Sequence, residues 1–205
     1  MRFYIADLHF FHESMNYRMD NRGFASANEM NEYMIAQWNS RVRRGDEVVL
    51  LGDFSVGKAK ETEEILKKLK GKKYLVIGNH DKYLKDKEFN RNLFINIQPY
   101  MEMNDNNRRV ILSHYPIFCY NGQYRKNKEI YMLHGHVHET YDQELLDRFV
   151  KETQESKRII RDEEINIPCN MINCFAKWSD YVPLTLDEWI VLNKKRLDKK
   201  NKDKA

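Results

Sequence analysis

The sequence predicts an α/β domain, and three observations support this class. Short apolar runs rich in β-branched and aromatic residues recur along the chain and are typical of strands. Segments with apolar residues at helical spacing lie between these runs. Polar side chains that can bind metals follow five of the runs directly, as at the carboxyl ends of strands in open α/β sheets. Because predicted helices and strands alternate, an α/β domain is the expected class.

The five strand-type runs each lead to candidate functional side chains. In chain order they are FYIA before Asp7 and His9, EVVLLG before Asp53, KYLVIG before Asn79, His80 and Asp81, RVILS before His114, and IYMLHG before His136 and His138. In the last segment His134, His136 and His138 alternate, which places three rings on one face if the chain stays extended. On that stretch alone, a metal site and a His-rich polar loop explain the pattern equally well.

Four helices and one hairpin are predicted around these strands. The first helix follows a capping box, SANE, at 26–29 and carries Met30, Met34, Ile35, Trp38 and Val42. The second carries Ile65, Leu66 and Leu69 and ends at Gly71, and the third carries Tyr141, Leu145, Leu146, Phe149 and Val150. The fourth is capped by Thr185 and Glu188, with Trp189 and Leu192 facing inward, and MNDNNRR at 103–109 is predicted to be a hairpin loop.

Composition excludes several protein classes. A chain of 205 residues, 41% of them hydrophobic, can bury a real core and is not disordered overall. No apolar run is long enough to span a bilayer, and Asp7 comes too early for the apolar region of a signal peptide, so we expect a soluble, cytoplasmic protein. Cys119, Cys169 and Cys174 are odd in number and form no C-x-x-C pair. We expect them to be reduced and structural.

The net charge of +4 comes from one terminal segment. Residues 194–205, KKRLDKKNKDKA, contain seven basic and two acidic residues, so the rest of the chain is close to neutral. We expect this tail to be frayed and solvated. Contact of the tail with nucleic acid or a membrane surface is an alternative that we do not favour.

The strand-end residues together form a candidate metal-ligand set of two aspartates, one asparagine and four histidines. Oxygen ligands mixed with imidazoles suit Mn²⁺, Fe or Zn²⁺ better than Ca²⁺ or a thiolate site. Seven ligands are too many for one tetrahedral ion but suffice for two ions that share a carboxylate. Two such ions, roughly 3.5–4 Å apart, are an arrangement known for phosphoryl-transfer chemistry.

The motifs that carry these residues resemble those of the calcineurin-like metallophosphoesterases. Asp7-x-His9, Gly52-Asp53, GNHD at 78–81, His114 and GHVH at 135–138 occur in that family's order, and INCFAKWSDYVPLTLDEWI at 172–190 is similar to the closing strand and helix of small members. The resemblance implies a β-sandwich flanked by helices, in four αββα layers, over residues 1–193. Segment 141–163 would be a helix that either caps the site or packs as an ordinary helix.

The resemblance also implies a role for each motif residue. Asp7, His9 and His138 would bind the first ion, Asn79, His114 and His136 the second, and Asp53 would bridge them. Mn²⁺ is the expected metal, with Fe, Zn²⁺ or Ni²⁺ as alternatives. A hydroxide between the ions would attack phosphorus, His80 would act as general acid or stabilise the phosphate, and Asp81 would orient His80 through a hydrogen bond. His134 would be no ligand, and would either support one or be structural.

Departures from the family pattern narrow the expectation. FSVG follows Gly52-Asp53 in place of the Asp-Arg pair of protein phosphatases, which puts a phosphoprotein substrate in doubt. DLHFFHESMNYRMDNRGF, at 7–24, resembles instead a small microbial and phage-associated branch, in which a His and an Arg follow the first motif. Here these are His12 and Arg22, which would contact a substrate phosphate or simply lie on the surface.

Three functions follow, in order of preference. The first is a metal-dependent phosphohydrolase that cleaves a phosphomonoester or phosphodiester in a small molecule, including a nucleotide. The second is a nuclease acting on DNA or RNA ends, supported by the basic tail and by Tyr115 and Tyr120 near His114 but opposed by the near-neutral body. The third is a non-catalytic protein-binding scaffold, which the complete ligand set disfavours. The sequence does not indicate an oligomeric state.

Overall fold

The computed structural model describes residues 1–125, 128–160 and 162–202. The strands are β1 (Arg2–Ile5), β2 (Glu47–Leu51), β3 (Lys72–Val76), β4 (Asn96–Gln98), β5 (Tyr100–Asp105), β6 (Arg108–Ser113), β7 (Ile130–His134), β8 (Lys157–Ile160), β9 (Glu163–Asn166) and β10 (Met171–Asn173). The helices are α1 (Ala27–Arg41), α2 (Ala59–Lys68), α3 (Tyr141–Glu155) and α4 (Leu186–Lys202). Each of the five strand-type runs forms a strand, and each of the four predicted helices is present.

Two four-stranded sheets form the centre of the fold. The first has the order β1-β2-β3-β4 and is entirely parallel. The second has the order β10-β7-β6-β5, in which only β5 runs antiparallel to its neighbour. A separate hairpin of β8 and β9 lies after α3. The expected mixed α/β architecture of two sheets flanked by helices is confirmed.

Three apolar clusters separate the layers. The first packs α1 and α2 on the outer face of the first sheet around the buried side chain of Trp38. The second fills the space between the sheets, where Val49 and Leu51 face Leu112 and Leu133. The third packs Leu146 of α3 on Met132, on the outer face of the second sheet. Alternation along each strand thus buries both faces of both sheets.

Local sequence signals hold where they were expected. Ser26 accepts a hydrogen bond from the Glu29 backbone N–H, 3.1 Å away, so it caps α1. Asn106 and Asn107 have φ of 47° and 65°, the left-handed pair that a tight turn between two antiparallel strands requires.

The segment expected to be a frayed basic tail is helical as far as Lys202, while 203–205 lie outside the described residues. α4 continues through it because Arg196 forms two hydrogen bonds of 2.6 Å with the Asp147 carboxylate of α3. Lys200 donates to the same carboxylate at 3.1 Å. The frayed tail was therefore a wrong prediction, since tertiary contacts override the composition of the segment.

The segment predicted as one helix over 141–163 is divided. α3 ends at Glu155, and the β8–β9 hairpin follows. None of the helices within the described part of the chain is both long and apolar enough to cross a membrane.

Candidate metal centre

The carboxyl ends of five parallel strands meet at one edge of the two sheets, and the loops that follow carry the candidate ligands. Backbone hydrogen bonds tie these loops together. The Asp7 N–H donates to Gly52 O at 3.1 Å, the His9 N–H to Asp53 O at 2.9 Å, and the Gly135 N–H to His114 O at 3.0 Å. The sheets thereby bring side chains that are distant in sequence into one site.

The first group of side chains is Asp7, His9 and His138, which are all buried. The Nε2 atoms of His9 and His138 lie 3.1 Å apart. His138 Nε2 is 3.7 Å from Asp7 Oδ1. Each residue offers one ligand atom within 4.8 Å of the other two, which is close enough to bind one ion.

The second group is Asp53, His114 and His136, again with ligand atoms within 4.8 Å of one another. Asn79 adds an oxygen, because its Oδ1 lies 3.0 Å from His114 Nε2. The division into two groups is the one that the family resemblance implied.

Asp53 lies between the two groups. Its Oδ2 is 3.6 Å from His9 Nε2 of the first group and 3.4 Å from His114 Nε2 of the second. Its Oδ1 is held by the His80 backbone N–H at 2.7 Å. One carboxylate oxygen therefore faces both groups, as a bridging ligand must.

The donor chemistry fits two cations. His114 Nδ1–H donates to Leu51 O at 2.8 Å and His138 Nδ1–H to Asp20 Oδ1 at 2.6 Å, so a neutral ring at either position points the Nε2 lone pair into the site. These lone pairs face carboxylate oxygens, which only a proton or a metal ion can reconcile. Burial would lower the pKa of His114, but the hydrogen bond with Asp53 and the nearby carboxylates raise it to about 9.

Burial also changes the acidity of the first group. It raises the pKa of Asp7 to about 6, more than the neighbouring histidines lower it. A bound cation in place of the proton stabilises the ionised form of such a buried carboxylate, which burial otherwise disfavours. The side-chain chemistry is thus that of a cation site.

Three glycines allow the ligand loops to approach one another. A Cβ at Gly52 would lie 2.4 Å from His114 Nδ1, one at Gly78 would lie 2.2 Å from the Asp53 backbone nitrogen, and one at Gly135 would lie 2.6 Å from Asp7 Oδ2. No side chain fits at these distances. Glycine therefore precedes three of the ligand-bearing turns for a steric reason.

The Arg22 side chain is buried against the first ligand loop. Its side chain has no exposed surface. The guanidinium donates to Asp20 Oδ2 at 2.9 and 2.8 Å, to Leu8 O at 2.6 Å and to Asp7 O at 2.9 Å. Because these contacts all point inward, Arg22 supports the first ligand loop, and they lend no support to its predicted contact with a substrate phosphate.

Asp20 is the residue that sequence reasoning missed. It is buried, receives the Arg22 guanidinium and accepts the hydrogen bond from His138 Nδ1. Burial would raise the pKa of Asp20, but the hydrogen bond and charge of His138 and the charge of Arg22 lower it. Nothing in the spacing of Asp20 marks it, because its partner His138 lies 118 positions away.

Asp81 also differs from expectation. Its carboxylate accepts backbone N–H groups from Asp53 at 3.1 Å, Phe54 at 2.8 Å and Gly78 at 2.8 Å. It therefore fixes the loops that carry Asp53 and Asn79 and does not hydrogen-bond the His80 side chain.

His80 and His12 lie at the half-buried mouth of the site. The His80 ring centroid is 5.2 Å from that of His9 and 5.6 Å from that of His12. His12 Nδ1 is 3.3 Å from His9 Nδ1. Burial and the His80 charge lower the pKa of His12. Both rings are therefore next to the ligands without belonging to either group.

His134 is completely buried and belongs to neither group. Its Nδ1–H donates to Gly135 O at 2.9 Å, and burial lowers its pKa to about 4. Of the three alternating histidines in the sequence, only His136 and His138 face the site.

Comparisons with known proteins agree with this geometry. The family model described as calcineurin-like phosphoesterase matches residues 3–192. An uncharacterized protein of Methanocaldococcus jannaschii is 30% identical over 185 residues, which cover 89% of this chain and 85% of that protein. The crystal structure of a protein of unknown function from Aquifex aeolicus superposes with a TM-score of 0.62 at 24% identity, over 92% of this chain and 96% of that one, and so resembles it in fold.

Proposed function

The chain belongs to the calcineurin-like phosphoesterase family and is a metal-dependent hydrolase of phosphoric esters, and on that premise we propose that it uses two divalent cations to cleave a phosphomonoester or phosphodiester in a small molecule or nucleotide. The observation that carries the proposal is the position of Asp53 Oδ2, within 3.6 Å of a histidine nitrogen from each group. A single carboxylate oxygen shared in this way supports two neighbouring cations rather than one.

Each group of side chains would hold one cation. Asp7, His9 and His138 would bind the first, Asn79, His114 and His136 the second, and Asp53 both. Two bound cations would polarise a phosphoryl oxygen and lower the pKa of a water molecule between them. Mn²⁺ is the proposed metal because the set mixes carboxylate and amide oxygens with imidazoles, and Fe, Zn²⁺ and Ni²⁺ are alternatives.

The two histidines at the mouth would act on the substrate. His80 lies beside the first group without contributing to it, so its ring can donate a proton to the leaving oxygen or a hydrogen bond to the phosphate. His12 would provide a second donor to phosphate oxygens. Tyr115, which is 48% exposed and has its ring centroid 4.5 Å from that of His136, would contact the remainder of the substrate.

The test is hydrolysis of bis(4-nitrophenyl) phosphate and of 4-nitrophenyl phosphate by the Mn²⁺-loaded protein. We expect turnover of at least one ester, and the preferred ester identifies a diesterase or a monoesterase. Asp53→Asn is the control, and it should lose activity together with bound metal, measured by elemental analysis. If the wild-type protein shows no turnover and binds no metal, the proposal is contradicted and a scaffold is favoured.

His80→Ala separates metal binding from catalysis. We expect this variant to keep both metals and to slow turnover by roughly 10²–10⁴-fold if His80 is the general acid. Unchanged turnover at full metal content would exclude that role.

A further inference from the structure

Beside the metal centre lies a cavity with a volume of about 270 Å³, and the loop that carries Asn79 and His80 forms one of its walls. We call this cavity the basic side pocket. Its lining includes Ile77, Asn79, Lys82, Leu84, Lys85 and Arg91. Because Asn79 is also a candidate ligand of the second cation, the basic side pocket adjoins the metal centre directly.

Local structure explains why three cationic side chains converge there. Residues Lys82–Lys85 form a 3-10 helix immediately after the GNHD motif. With three residues per turn, Lys82 and Lys85 lie on the same side of that helix. Arg91 begins the next 3-10 helix, and its Nη2 donates to Leu84 O at 2.8 Å, which fixes the guanidinium at the pocket wall.

These charges are not neutralised by neighbouring acids. Lys82 and Lys85 form no ion pair and no hydrogen bond through their ammonium groups with any residue that the structure describes. Asp81 also lines the pocket, but its carboxylate oxygens accept three backbone N–H groups and form no ion pair with these lysines. Asp86 does not line the pocket, and its Oδ1 accepts the Glu88 backbone N–H at 3.0 Å. Apart from the tail the chain is nearly neutral, so this is a local concentration of positive charge.

We propose that the basic side pocket binds a second anionic group of the substrate, so that the preferred substrates are small phosphoesters with a further phosphate beyond the one that is cleaved. The proposed function supplies one premise, that the cleaved phosphate lies between the two groups of metal ligands. Apolar walls from Ile77 and Leu84 strengthen the attraction of the three cations for a second phosphate, because they exclude water from one side of it. A substrate with a single phosphate leaves these cations without a partner.

The test compares two ligands that differ by one phosphonate, butane-1,4-bisphosphonate and butylphosphonate. Their carbon–phosphorus bonds resist hydrolysis, so binding to the Mn²⁺-loaded protein is measurable by calorimetry without turnover. We expect the wild-type protein to bind the bisphosphonate roughly tenfold more tightly, the size of effect that two or three solvent-exposed ion pairs provide together. Equal affinities would overturn the proposal.

Substitutions in the basic side pocket test whether its cations cause the preference for the bisphosphonate. In Lys82→Gln/Lys85→Gln the preference should fall to about twofold or less, and Arg91→Gln is a second variant that reduces it independently. Lys87→Gln is the matched control, since Lys87 is exposed in the same segment and does not line the pocket. An undiminished preference in both test variants would overturn the proposal. Failure of the proposed function is visible separately, as absent hydrolysis of both nitrophenyl esters by the metal-loaded protein.

Discussion

At the residue scale, five of the seven candidate ligands adopt a backbone conformation that non-glycine residues normally avoid. Asp7, His9, Asp53, His136 and His138 have φ of 58°, 53°, 51°, 71° and 46°. Each non-glycine residue in the left-handed region costs about 1–3 kcal/mol unless its surroundings hold it there. Such strain concentrates at functional sites, in agreement with the assignment of these loops to a metal centre.

Substitution of Gly135 by alanine should disrupt the first group of ligands. The new Cβ would lie 2.6 Å from Asp7 Oδ2 and 2.7 Å from Ala6 Cβ, so Asp7 must move. We expect loss of at least one bound metal and of most activity. Gly45→Ala is the control, because a Cβ there meets no atom within 4 Å, and it should change neither quantity. Normal metal content in Gly135→Ala would contradict this account.

Asp20→Asn should weaken the first cation site although Asp20 is not a ligand. It removes the negative charge that fixes His138 through Nδ1 and leaves the Arg22 guanidinium without a counter-charge. Loss of such an outer partner typically lowers metal affinity by roughly 10–100-fold. Metal titration of the folded variant measures the effect, with the unfolding temperature as a check on structure. Wild-type affinity would show that Asp20 only stabilises the fold.

At the scale of elements, a series of hydrogen bonds connects α4 through α3 to the loop of the metal centre that carries His138. Arg196 of α4 pairs with Asp147 of α3, and Gln143 Nε2 donates to Asp147 Oδ1 at 2.7 Å. Asn173 Nδ2 donates both to Gln143 Oε1 at 2.9 Å and to His138 O at 3.0 Å. A chain of buried and partly buried polar contacts thus connects the basic end of α4 with a candidate ligand. α3 therefore supports the loop that carries His138.

Arg196→Gln should lower the free energy of unfolding at pH 7 by roughly 1.5–3 kcal/mol, the usual contribution of a charged hydrogen-bonded pair. Burial would raise the pKa of Asp147, but the hydrogen bond and charge of Arg196 lower it. Stability from this pair is therefore present above the ordinary carboxylate pKa of about 4 and is lost as pH falls through the lower, folded-state value.

Urea denaturation of the metal-free protein at neutral and at acid pH measures the contribution of this pair. Arg196→Gln should differ from wild type at neutral pH and converge with it in acid. Lys195→Gln, at an exposed position on the same helix, should match wild type at both. If the free energy of unfolding of Arg196→Gln is lower than that of wild type by the same amount at both pH values, the ion pair is not the cause.

At the scale of the whole molecule, the site exists only where the two sheets meet. Asp7, His9, Asp53 and Asn79 follow strands of the first sheet, and His114, His136 and His138 follow strands of the second. Each proposed cation would therefore join the two sheets. Metal binding should consequently be coupled to the stability of the complete fold.

Saturating Mn²⁺ should raise the thermal midpoint of the chelator-treated protein. A free metal concentration of 100 times Kd adds about 2.7 kcal/mol for one site, which corresponds to roughly 5–10 °C in a chain of this length. Scanning calorimetry with and without Mn²⁺ measures the shift, and Asp53→Asn should show a smaller one. A midpoint independent of Mn²⁺ would mean that the native fold does not bind it preferentially.

Much of the fold and of the ligand set could be predicted from local sequence. β-branched runs predicted the strands, and Gly-Asp and Gly-His pairs marked strand ends where ligands follow. The segment 103–109 predicted a hairpin loop, and the structure places a hairpin there with a shorter turn, at Asn106 and Asn107. These signals are short in range, because a strand, a turn or a glycine contact depends on a few neighbouring residues. The assignment of ligands to two groups came from the family resemblance, and their geometry agrees with it.

The sequence by itself determined the alternation of strands and helices and the residue types at each strand end. Only the tertiary structure decided how those residues are supported: Arg22 turned inward on Asp7, Asp20 on His138, Asp81 on the Asp53 loop, and the basic tail folded onto Asp147. The physical reason is that a buried charge takes whichever opposite charge or donor the packed layers bring near it. The contacts of Asp20 with His138 and of Arg196 with Asp147 join residues that are distant along the chain, and no local pattern encodes them.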